Sequence, residues 1–63
     1  MITLKTLDGR PYGHIHDNGG RKTLYDANGN YIAEYLKIAN ITIDHRNNQQ
    51  YRGDVLNGLL VPN

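Results

Sequence analysis

Apolar and polar residues alternate along this chain in runs of four to seven, and each run is cut by a turn signal. The runs are ITLKTL, RPYGHIH, RKTLY, NYIAEYL, NITI and QQYRG. They are rich in Ile, Leu, Thr and Tyr, the residues that fit a pleated, half-buried surface. Alternation is plain in the first run, where Ile2, Leu4 and Thr6 oppose Thr3, Lys5 and Leu7. It blurs in NYIAEYL, where both faces carry apolar groups, as expected of an inner or bulged strand. Pro11 lacks an amide donor and is predicted at a strand start or a sheet edge. NYIAEYLKIA has a helical rival, with Ile32, Tyr35, Leu36 and Ala39 on one face. The neighbouring Gly29-Asn30 and the tyrosines favour a strand.

The turns explain the spacing. Asp8-Gly9, Asp17-Asn18-Gly19-Gly20, Asp26-Ala27-Asn28-Gly29 and Asp44-His45-Arg46-Asn47 open on aspartate, at intervals of 9, 9 and 18 residues. An aspartate at the first position accepts hydrogen bonds from amides two or three residues on, and Gly or Asn at the fourth tolerates positive φ. The Asp44 turn therefore places Asn47 at the left-handed position. Lys37-Ile38-Ala39-Asn40 fills the long gap as a weaker turn. Nine residues hold one short strand and one tight turn, which is the spacing of an antiparallel meander. The prediction is an all-β fold of about six short strands built from hairpins, with residues 1–63 forming one domain.

The tail breaks the pattern. Asp54 followed by VLNGLLV is expected to cap one helical turn, with Val55, Leu56, Leu59 and Leu60 on one side, and Gly58 and Pro62 keep that turn short. Val55, Leu56, Leu59, Leu60 and Val61 form the candidate surface for a partner or for self-association. They either close the chain's own sheet or dock on a second chain. A domain this small buries only about 60% of the surface its unfolded chain exposes, so it cannot easily forgo those aliphatics. Without Trp or Phe, the core is expected to use aliphatics and the five tyrosines.

Composition removes most chemistry. There is no cysteine, hence no disulfide and no thiolate metal site, and a cytoplasmic location is expected. No run approaches the roughly 20 apolar residues of a membrane span. The first residues, MITLKTLDG, do not read as a signal peptide. Serine is also absent, which leaves no common nucleophile. The acids mostly begin turns. Glu34, mid-strand, is expected to pair across the sheet with a lysine or arginine. No enzymatic activity and no cofactor are expected.

Two binding alternatives remain. His14 and His16, two apart on a strand, share one face and with Asp17 resemble a Zn or Cu site. The opposing reading is stronger: Ile15 takes the buried side, both histidines face solvent, and the turn amides occupy Asp17. No metal is therefore assigned. Arg10, Arg21, Lys22, Arg46 and Arg52, aligned with Tyr12, Tyr25 or Tyr51, would make a nucleic-acid face. A formal charge of +1 argues against a dedicated nucleic-acid binder.

The stretch TLYDANGNYIAEY, with LDGRPYGHI and TIDHRNNQQYRGDVL as echoes, resembles the YD-type hairpins of bacterial repeat proteins. It is similar to small bacterial and phage-borne domains of β-flower architecture. The shared features are Tyr25-Asp26-x-x-Gly29, the Asp44-x-x-Asn47 variant and Gly53-Asp54-Val55-Leu56 before the aliphatic tail. The resemblance implies an all-β fold and a bacterial or phage source, and it carries no catalytic residues. The expected role is that of a non-enzymatic protein-binding or self-associating module, with a homo-oligomer among the possibilities.

Overall fold

A computed structural model describes residues 1–60 of the chain; Val61 of the candidate tail surface lies outside the described residues. Six antiparallel strands form one sheet in strict chain order. They are β1 (Ile2–Lys5), β2 (Pro11–Asp17), β3 (Arg21–Asp26), β4 (Tyr31–Leu36), β5 (Ile41–Asp44) and β6 (Gln49–Arg52). A single 3-10 turn, Leu56–Gly58, follows. NYIAEYLKIA forms the preferred strand from Tyr31 to Leu36, not the rival helix, and turns at Lys37; Pro11 opens β2 as its missing amide requires.

Each hairpin turns on one left-handed residue. Gly9, Gly19 and Gly29 have φ of 88°, 89° and 86°, and Asn40 and Asn48 both have φ of 54°. The loops after β1 and β3 are three-residue connections. In the second of these, the Asp26 amide donates to the Asn30 carbonyl and the Gly29 amide to the Asp26 carbonyl, each at 3.0 Å. After β2, the Asn18 amide donates to the Arg21 carbonyl at 2.8 Å, so the left-handed residue is Gly19, the first of two loop residues. The expectation for Asn47 is corrected here. Asp44 pairs with Gln49, so the loop holds four residues and its last one, Asn48, takes the positive φ. Asn47 instead donates its side-chain Nδ2–H to Asp44 Oδ2 at 3.0 Å.

A bulge sets the core. Register shifts between Leu24 and Tyr25, so Tyr25 pairs with Tyr31 while Leu24 pairs with Ala33. The extra residue, Ile32, lets two consecutive side chains, Ile32 and Ala33, be buried together. With Ile15, Leu24 and Leu56 they form the core, and Leu4, Tyr35, Leu59 and Leu60 pack against it. The tyrosines are a second correction. None of the five is buried, and only Tyr35 packs against the core, because a phenol at the rim keeps its hydroxyl in reach of a polar partner. Tyr35 donates its own to Asn40 Oδ1 at 2.8 Å.

Candidate functional site

Strand alternation divides the side chains between two faces. Gly13, Ile15, Leu24, Ala33, Tyr35, Thr42 and Asp44 are linked by register on one of them. The tail covers this face. The Thr42 hydroxyl donates to the Gly53 carbonyl at 2.6 Å and accepts from the Val55 amide at 3.2 Å. Lys22 reaches Asp54 at 3.0 Å, and Arg46 donates to the Leu59 carbonyl at 2.8 Å. Asp54 does not sit at the cap position, which is Val55, although its Oδ1 accepts from the Leu56 amide at 3.3 Å. Of the candidate tail residues, Leu56 is wholly buried, and Val55, Leu59 and Leu60 are half-buried. The described tail thus packs on the chain's own sheet.

The other face has no cover among the described residues. It carries His14, Thr23 and Tyr25, then Tyr31 and Glu34, then Leu36, Ile41 and Ile43. The Tyr25 and Tyr31 rings lie 5.8 Å apart between centroids, and the His45 ring lies 5.2 Å beyond Tyr31. Glu34 is the hub. Its Oε2 accepts from the Tyr31 hydroxyl at 2.8 Å and from Arg21 at 3.3 Å, and its Oε1 stands 3.6 Å from His45 Nε2. The expected cross-strand cation is therefore Arg21. The neighbours Tyr31 and His45 were not legible, since the bulge and the β5–β6 loop deliver them. Partial burial and the Glu34 carboxylate push the Tyr31 phenol up to about 12.

The five basic residues proposed as a nucleic-acid face do not converge. Arg21 and Arg52 belong by register to the open face, whereas Lys22 and Arg46 hold the tail on the covered one. Arg10 is folded back on Asp8 at 3.1 Å in the first turn. The histidine motif is likewise split. His14 and His16 share the open face, and Asp17, their neighbour in the strand, projects to the opposite side. Its carboxylate accepts from the Gly19 amide at 3.0 Å and from Lys37 Nζ at 2.9 Å. His14 Nδ1 lies 3.4 Å from the Thr3 hydroxyl. No group of three potential metal ligands occurs among the described residues.

The sheet ends in two short edge strands, β1 and β6. Every residue of β6 is exposed. Beside it lies an open cleft of about 330 Å³ lined by Ala39, Asn40, Ile41, Gln50, Tyr51 and Arg52. The sequence singled out Tyr51 and Arg52 of this lining, but not the cleft that they share with Ala39, Asn40, Ile41 and Gln50. It forms where the β4–β5 turn meets the end of β6.

Compared with protein-family models, with curated proteins and with solved structures, the chain finds no match.

Proposed function

We propose that this chain is a non-enzymatic module that binds another protein through the open face of its sheet. One observation carries the reading: the tail covers a single face and leaves Tyr25, Tyr31, Leu36, Ile41 and Ile43 partly exposed on the other. Tyrosines beside aliphatics give a contact surface large apolar area with little rotamer entropy to lose. Catalysis has little support. Serine and cysteine are absent, and all six carboxylates are occupied by turn amides or cations. The tail is the less apt contact surface, since Leu56 has no exposed area left to offer. Nucleic-acid binding is disfavoured by the split of the basic residues between the two faces.

A photoreactive side chain at position 43 tests the proposal, with position 27 in the β3–β4 turn as control. Cross-linking in a cell extract should yield a protein adduct from position 43 only, and Ile43→Asp should abolish competition by unlabelled chain. Equal adducts from both positions, or recovery of nucleic acid instead of protein, would reject it.

A further inference from the structure

The charges of this chain are almost all satisfied internally. Arg10 pairs with Asp8, Arg21 with Glu34, Lys22 with Asp54 and Lys37 with Asp17, and Arg46 donates to a carbonyl. Asp26 and Asp44 are filled by the amides and asparagines of their own turns. Among the described residues, two of the seven Lys/Arg side chains have no partner: Lys5 and Arg52. They stand on the two edge strands. A cation on an edge guards it against pairing with another copy of the same edge. Its charge is also available to a carboxylate of a different partner.

The β6 edge also has the backbone to receive such a partner. The Gly53 amide donates to the Asn40 carbonyl at 2.7 Å, and Thr42 pairs with Tyr51 two residues along. In an antiparallel ladder the inward-bonded pairs alternate, so Gln50 and Arg52 turn their amides and carbonyls outward. Ile41, Gln50 and Arg52 share the open face by register, and they line the cleft. A strand laid on β6 would therefore set alternate side chains beside Gln50 and Arg52, two of the residues that line this cleft. The β1 edge is poorer. Its register shifts between Leu4 and Lys5, which interrupts the regular row of outward backbone groups.

We propose that the outer edge of β6 and the cleft beside it receive an extended acidic segment of another protein, whose carboxylate pairs with Arg52. This is strand addition, with backbone bonds supplying affinity and the cleft and Arg52 supplying selectivity. It rests on the reading of the chain as a protein-binding module. A second copy is the poorer occupant, because neither β1 (ITLK) nor β6 (QQYR) brings a carboxylate to Arg52.

The test is an amide-resolved NMR titration with a short blocked peptide of alternating threonine and valine around one central glutamate. Gln50 and Arg52 amides should shift and gain exchange protection. Replacing the glutamate by glutamine, or Arg52 by glutamine, should each weaken binding roughly tenfold, the scale of one charge-assisted hydrogen bond. Arg52→Glu should recover binding to a lysine peptide. Shifts centred on β1, equal binding of the glutamate and glutamine peptides, or protection caused by self-association would each overturn the proposal. So would an oligothymidylate that produces the same shifts more tightly. If the peptide fails while position 43 still cross-links a protein, the edge site falls and the open-face reading survives.

Discussion

Leu60 rests on Gly13. A Cβ at position 13 would stand 2.6 Å from Leu60 Cδ1 and 3.0 Å from the Tyr25 carbonyl oxygen, so the glycine is the socket that admits the tail. Gly13→Ala should cost about 1–3 kcal/mol, the usual range for overpacking. Leu60→Ala should recover part of that loss in the double variant, because it removes the movable half of the clash. Urea unfolding of the four species checks this. Strictly additive losses would mean that the two residues do not meet.

The β5–β6 loop separates two adjacent asparagines by role. Asn48 holds the left-handed position, so Asn48→Gly should be neutral or mildly stabilising. Asn47→Gly loses the bond to the buried Asp44 carboxylate and should destabilise by about 1–3 kcal/mol. Thermal unfolding of both variants gives the order. The reverse order would return the left-handed role to Asn47.

Acid should weaken the fold through its turns. Asp8, Asp17 and Asp26 are held below the ordinary 3.8 by hydrogen bonds, chiefly from Thr6, Lys37 and Asn30 respectively. In Asp44 burial opposes ionisation, and Asn47 with the loop amides outweighs it. A lowered native value means that the folded state favours the ionised carboxylate. The stability gained is complete above the unfolded value and is lost as pH falls through the lower native values. Unfolding free energy should be flat through mild acid and drop below about pH 4. Asp26→Asn should flatten that drop.

Base acts through Tyr31. With its phenol pushed up to about 12 from an ordinary 10.0, the folded state favours the neutral ring. This contribution is complete below the ordinary value and disappears as pH rises through the native one. Tyrosinate absorbance should show a late-titrating Tyr31 phenol in the folded protein. Tyr31→Phe should remove it, and Glu34→Gln should bring it back toward 10.

His14 and His16 should be dispensable to folding. The pair His14→Ala and His16→Ala should change stability by about ±0.5 kcal/mol, as surface substitutions do, and a chelator should not shift the melting of the wild type. A clear loss in both experiments would mean that the two imidazoles share a stabilising metal, whereas a loss in the double variant alone would point to the His14–Thr3 contact.

Much of this architecture is written locally, and so was readable. A strand such as RKTLY and a turn such as DANG each carry their own signal, and the 3-10 turn begins where the aliphatic run breaks the alternation. The left-handed position was legible at Gly29 and missed at Asn48. Loop length is decided by which pair closes the hairpin, and that depends on the register of both strands. The buried Ile32–Ala33 pair was foreshadowed by the blurred alternation in NYIAEYL, yet the bulge that produces it needs the partner strand. Of the sites, the Arg21–Glu34 pairing type was predictable from a mid-strand acid. The cleft by β6 was not, because it arises where a turn meets an edge strand that follows a further strand and loop.

Strict chain order has a kinetic meaning. Every strand bonds only to its neighbours in sequence, so each hairpin can close over a short loop with little entropy to overcome. The tail is the exception, since Leu60 must find Gly13 and Asp54 must find Lys22 across half of the chain or more. Its docking has to await a sheet that is already assembled. Changes at Leu60 should then leave the refolding rate nearly untouched and appear almost entirely as faster unfolding. The tail acts as a latch: it adds little to how quickly the sheet forms and much to how long it lasts.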